Sequence, residues 1–156
     1  LWTVFNGESI NYKIKDMIQN AKENIFMISS PKYIKYLENA DPNLKLDIIL
    51  FSETHSFETL KKDFEDKKGN FKVVNEEDML NIVASSKTKD KKQFEVYKEA
   101  LLMVEYRNML MLAIDDEEVL YMPPMSTGSL TAINTKNKAM TMLMKIGLSD
   151  ITNQFE

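Results

Sequence analysis

The residues able to do chemistry are few. His55 is the only histidine, Arg107 the only arginine among 20 basic residues, and cysteine is absent. Without Cys there is no disulfide framework, thiolate zinc site, iron–sulfur cluster or cysteine nucleophile. A single histidine rules out a multi-histidine metal centre within one chain and makes any imidazole acid–base step depend on His55. One arginine leaves one donor for bidentate recognition of phosphate or carboxylate. The 4 glycines are scattered singly, with no nucleophile elbow, no phosphate-cradling loop and no G-x-G-x-x-G. Serine hydrolase and nucleotide-binding chemistries therefore lack their backbone. These absences assign no catalytic residue, no cofactor and no metal.

What remains is a set of polar residues at the ends of apolar runs. Ser29 and Ser30 follow Ile25–Ile28, and Ser52-Glu53-Thr54-His55 follows Leu46–Phe51. In open α/β sheets ligands bind beyond the carboxyl ends of the strands, so Ser29, Ser30, Ser52 and His55 are expected on one rim. The quartet Asp115-Asp116-Glu117-Glu118 invites a metal. Consecutive residues on a tight turn point to opposite sides, however, and calcium loops space their oxygens at alternate positions, so a solvated hairpin tip is expected. Of the 11 methionines, Met17, Met27 and Met142 fall at core positions as gap-filling side chains. Met109 and Met111 are candidates for an apolar pairing face.

The elements that must position these residues follow from periodicity. Leu1–Phe5 has the pattern of a short strand closed by Asn6-Gly7. Ile10, Ile14, Met17, Ile18 and Ala21 then lie on one helical face, with Ser9 or Glu8 near its start. Ile25–Ile28 is continuously apolar, as in a strand covered on both sides. Pro31 can open a second helix carrying Tyr33, Ile34 and Leu37, before the strand Leu46–Phe51. A helix through Phe57, Leu60 and Phe64 precedes the strand Phe71–Val74. Strands alternating with helices predict a mixed, mostly parallel sheet with helices on both faces. The lysine-rich stretch Ser85–Lys92 has no periodicity and is expected as a solvated loop. Met109–Ile114 and Val119–Met122 flank the acidic quartet as a hairpin, and Leu130–Ile133 adds a strand. A final helix buries Ala139, Met142, Leu143 and Ile146 and stops at Gly147.

The formal charge is −4 over 156 residues, a poor basis for gripping a duplex, since nonspecific nucleic-acid affinity comes from clustered Lys and Arg. No run approaches the ~18 apolar residues of a membrane span, and the first residues do not have the order of a signal peptide. A single cytoplasmic domain over residues 1–156 is expected. Because the chain opens on Leu1 inside a strand-like run, it is expected to be part of a longer protein.

Two stretches, Trp2-Thr3-Val4-Phe5-Asn6-Gly7-Glu8-Ser9-Ile10 followed by Ile14–Ile25 with its Ala21-Lys22 pair, and Leu110–Leu120 followed by Thr131-Ala132-Ile133-Asn134-Thr135-Lys136-Asn137, together resemble the effector region of archaeal TrmB-type transcription regulators. The second also parallels the catalytic-strand region of the phospholipase D-like fold. The likeness spans nearly the whole chain. It implies a phospholipase D-like α/β domain that binds a sugar or other small metabolite, pairs as a homodimer, and reaches DNA only through a separate N-terminal winged helix.

The same resemblance implies a test for catalysis. Active phospholipase D-like domains carry H-x-K-x-x-x-x-D, where His attacks phosphorus or protonates the leaving group and Lys neutralises the phosphoryl oxygens. With the Asp set on Asp115, Asn108 takes the His position and Leu110 the Lys position. An amide carries no proton, and leucine stabilises no negative charge. Setting the Asp on Asp116 brings Met109 and Met111 into those roles, and the frame of His55 has Phe57 at its Lys position. The expectation is a non-catalytic sensor whose ligand touches Ser29, Ser30, Ser52, His55, Asn108 and Asp115, neutral groups such as Asn108 favouring a polyol. The alternatives are a degenerate phosphodiesterase or nuclease and a pure dimerisation module.

Overall fold

Strand and helix boundaries follow the apolar runs closely. The computed structural model describes residues 2–52, 57–75, 77, 78, 91, 92, 95, 96, 99, 108–123 and 130–152. In chain order the elements are β1 (Thr3–Asn6), α1 (Glu8–Asn20), β2 (Asn24–Ser29), a 3₁₀ helix η1 (Pro31–Asn39), β3 (Lys45–Phe51) and α2 (Phe57–Phe64). They continue with β4 (Gly69–Val74), β5 (Leu110–Ile114), β6 (Glu118–Met122), β7 (Thr131–Thr135) and α3 (Lys138–Thr152). His55 and most of the lysine-rich stretch lie outside the described residues.

Among the described residues the strands form one seven-stranded sheet in the order β1-β7-β6-β5-β2-β3-β4. Only β2–β3 and β3–β4 are parallel; β1–β7, β7–β6, β6–β5 and β5–β2 are antiparallel. The sheet is therefore mixed and mostly antiparallel, not mostly parallel as the sequence suggested. The cause is the placement of β5. It docks antiparallel against β2, with Ile25 opposite Ile114 and Ser29 opposite Leu110, so the meander β5-β6-β7 extends the sheet on the side opposite β3 and β4.

Alternation through the central strands divides the core in two. On one face Ile25 and Met27 of β2 and Leu110, Leu112 and Ile114 of β5 meet the apolar stripe of α1, together with Tyr33 and Leu37 of η1 and Leu60 and Phe64 of α2. On the other face Phe26, Ile28, Met111 and Ala113 pack with Val119, with Met144 of α3 against them. Met17 and Met27 fill the core as expected, but Met111 is also buried, and Met109 packs against the second cluster. Neither supplies the surface pairing face that their side-chain types had suggested.

The final helix is rotated relative to expectation. Asn137 sets its phase: its side-chain oxygen accepts the Met140 N–H at 2.9 Å, and its carbonyl accepts the Thr141 hydroxyl at 2.9 Å. This cap turns Thr141 fully inward, with Met144 toward the sheet, and leaves Met142, Leu143 and Ile146 outward at 43%, 67% and 56% exposure. The stripe exists, but it faces away from the core. Gly147 lies inside the helix, which runs on to Thr152.

Candidate functional site

Two ends of the sheet carry the polar residues singled out by sequence, and they are different ends. At one, β2 and β3 finish side by side in parallel register and β5 begins beside them. Ser29, Ser30 and Ser52 are all buried there, with the Ser29 hydroxyl donating to the Ser30 carbonyl at 3.1 Å. Asn108 precedes β5 at the same rim. Asp115 follows β5, and seven residues of extended chain place it about 20 Å from Asn108. It cannot share their ligand.

Asp115 has a structural task instead. Its carboxylate accepts the backbone N–H groups of Lys22, Glu23 and Asn24 at 3.0, 2.7 and 3.1 Å, pinning the turn between α1 and β2 to the β5–β6 hairpin. Asp115 and Asp116 both hold positive φ, 53° and 55°, as in the primed turns that match strand twist. Asp116 bonds Lys145 of α3 at 2.7 Å, and Glu118 pairs with Lys13 at 2.9 Å while accepting from the Asn134 amide at 3.0 Å. Three of the four carboxylates in the acidic quartet are thus committed to neighbours. Among the described residues no three His, Asp or Glu gather as metal ligands.

The serine rim adjoins η1, the helix expected from Pro31, whose nine-residue 3₁₀ form and lysine ridge the sequence reading missed. Residues three apart eclipse in a 3₁₀ helix, and Lys32-Tyr33-Ile34-Lys35-Tyr36-Leu37 is a three-residue repeat. Lys32 and Lys35 therefore share one ridge, Tyr33 and Tyr36 a second, and Ile34 and Leu37 a third. The tyrosine rings stack at 6.5 Å between centroids, and each ammonium lies over the ring that follows it, at 5.1 and 5.2 Å. The Lys32 ammonium donates to the Asn108 side-chain oxygen, and the Tyr33 hydroxyl donates to the Asn108 carbonyl at 3.4 Å. Desolvation, and then the charge of Lys35, hold the Lys32 ammonium below the usual lysine range. The rim is not neutral.

Between η1 and the start of α1 opens a cleft of about 380 Å³, lined by Lys32, Lys35, Tyr33 and Tyr36 on one side and Glu8 and Asn11 on the other. Gly7 starts α1 with φ 55° and offers no side-chain cap. Ser9 turns back instead, its hydroxyl accepting the Asn6 N–H at 3.1 Å and donating to the Asn6 carbonyl at 2.6 Å.

Burial, and secondly the charge of Tyr36, push the Tyr33 phenol up to about 12. A phenol near 10 when unfolded and near 12 when folded adds stability that is complete below pH 10 and lost as pH rises through 12. Urea unfolding is expected to show wild-type stability falling more steeply than that of Tyr33→Phe across this window. Parallel pH profiles for the two proteins would show that Tyr33 titrates normally.

No family model and no curated protein matches this chain. Solved structures do. TrmBL2, an archaeal chromatin protein described as showing a novel mode of DNA binding, superposes with a TM-score of 0.58 at 14% identity, covering 98% of this chain and 52% of its own. The chain thus spans about half the length of TrmBL2. NucT from Helicobacter pylori gives 0.60 at 14% identity, over 99% of this chain and 96% of that one. The phospholipase D family member Nuc from Salmonella typhimurium gives 0.51 at 11%, over 99% and 95%. Likeness at such identities speaks for architecture alone: the chain has the phospholipase D-like fold, shared with TrmBL2, NucT and Nuc.

Proposed function

We propose that this chain is a non-catalytic effector-binding and pairing domain of a cytoplasmic transcription regulator. A sugar or other small metabolite binds at the rim of Ser29, Ser30, Ser52 and Asn108, with His55 as a further contact, and DNA is reached through a separate N-terminal domain. One observation carries the reading. Where phosphodiester cleavage on this fold needs His and Lys, the chain has Asn108 and Leu110, and the Leu110 side chain is fully buried in the main core. A phosphorane needs a nucleophile and a cation on the same strand face, and this face provides neither there. The polar rim and the adjoining cleft survive, which suits recognition without turnover.

Pairing is supported by the outward stripe of Met142, Leu143 and Ile146 on α3, since contiguous exposed apolar surface is what a partner subunit covers. A metabolite then acts by binding two arrangements of the pair unequally, with a coupling of about 1–3 kcal/mol. The alternative is a degenerate phosphodiesterase, which the likeness in fold to the phospholipase D family member Nuc keeps in view. Hydrolysis of bis-p-nitrophenyl phosphate, followed alongside sedimentation at tens of micromolar, separates the two. The expected result is a dimer with no turnover above buffer. Turnover that disappears in Asn108→Leu would overturn the non-catalytic reading, and a monomer would overturn pairing.

A further inference from the structure

The cation missing from β5 is present at the same rim, delivered from another element. With Leu110 buried, the strand face next to Asn108 has no positive charge of its own. Lys32 comes to the rim from η1: its ammonium donates to the Asn108 side-chain oxygen, and the residue also lines the cleft. We infer that the ligand of this site carries an oxyanion, a phosphate monoester or a carboxylate, held by Lys32 and Lys35 of η1 together with the Asn108 amide.

The chemistry of each group supports this class. An ammonium has three donors. One goes to Asn108, and among the described residues Lys32 has no carboxylate partner, which leaves donors for a ligand. Because an ammonium can only donate, the Asn108 oxygen faces Lys32, and its amide N–H pair, with no partner among the described residues, is directed elsewhere at the rim. Lys35 stands one 3₁₀ turn along the same ridge. Desolvation first, and then the like charge of Lys35, lower the affinity of Lys32 for its proton, and a bound oxyanion would offset both by stabilising the charged ammonium. The positive end of α1 borders the cleft and adds to the same field. Glu8 opposes it from the α1 side, and with two lysines against one carboxylate the cleft keeps a net charge of +1. A neutral polyol would use the hydrogen bonds and leave the lysine repulsion in place.

This inference rests on the effector-binding reading and is tested separately from it. Calorimetric titrations of the whole chain use inorganic phosphate, glucose 6-phosphate, succinate and glucose as probes, on wild type, Lys32→Gln, Lys35→Gln and, as a control for overall charge, Lys22→Gln. Lys32 and Lys35 are exposed, so the variants keep the core intact. At least one anionic probe is expected to bind more tightly than glucose. Lys32→Gln should weaken it tenfold or more, about 1.4 kcal/mol, Lys35→Gln severalfold, and Lys22→Gln not at all. Preference among phosphate, glucose 6-phosphate and succinate identifies the source of the oxyanion. Glucose binding as tightly as the anions, or anion binding indifferent to Lys32, overturns the oxyanion while leaving an effector site standing. Binding of none of the four overturns the inference and removes support from the effector-binding reading as well.

Discussion

Asp115→Ala is expected to lower the unfolding free energy by about 2–4 kcal/mol, although Asp115 is only half-buried. Charge-assisted hydrogen bonds are the stronger kind, and this carboxylate accepts backbone N–H groups from three consecutive residues. Removing it leaves those donors at the α1–β2 turn to water or to nothing. Alanine also pays for the positive φ of 53°, which aspartate tolerates better. Asp115→Asn keeps one acceptor oxygen and the backbone preference, so it should recover roughly half the loss. Chemical denaturation of the three proteins measures this directly. Equal stability of Asp115→Ala and wild type would show that the hairpin and the turn are not coupled.

Gly69→Ala should be at least as damaging, at about 3 kcal/mol or more. Gly69 opens β4 with φ 143°, opposite Leu46 of β3, and a Cβ there would lie 1.8 Å from the Leu46 carbonyl oxygen. The obstacle is backbone, which cannot rotate away as a side chain can, so the strand must retreat and break its ladder with β3. Gly147→Ala is the contrasting case. Its Cβ would meet nothing within 4 Å, in a helix where alanine is favoured over glycine by up to about 1 kcal/mol, so a gain in stability is expected. Thermal unfolding of the pair should move in opposite directions. A tolerated Gly69→Ala would mean that β4 is not held in this register.

The contrast between these sites shows what local sequence encodes. The apolar runs that became β2, β3, β5 and β6 were readable because burial on both faces needs continuous hydrophobic residues, and the α1 stripe was readable because its period is helical. Strand direction was not readable. Whether β5 docks on β2 parallel or antiparallel is decided by long-range packing, and nothing within Leu110–Ile114 states it. The direction of α3 toward its neighbours was similarly hidden, because the Asn137 cap and not the stripe sets its phase.

The site was partly legible. Ser29, Ser30 and Ser52 converge because β2 and β3 are parallel and in register, as an α/β reading requires. Asn108 and Asp115 flank β5 at its two ends, and the strand between them keeps them from sharing a site. The Lys-Tyr-apolar repeat in η1 was also in plain view. A period of three suits neither an α-helix nor a strand, whereas Tyr33, Ile34 and Leu37 alone pass for an α-helical face.

The measurement that bears most directly on a ligand-binding rim is backbone amide chemical-shift mapping by NMR, titrating the tightest-binding metabolite from a screen of sugars, sugar phosphates and carboxylates into the isotope-labelled chain. The expected result is saturable shifts concentrated at Ser29, Ser30, Lys32, Tyr33, Ser52 and Asn108, with the turn at Lys22–Asn24 and the hairpin at Asp115–Glu118 unmoved. Shifts centred instead on that hairpin and on Lys136 and Lys138, which line the groove beside it, or the absence of any saturable shift across the screen, would contradict it.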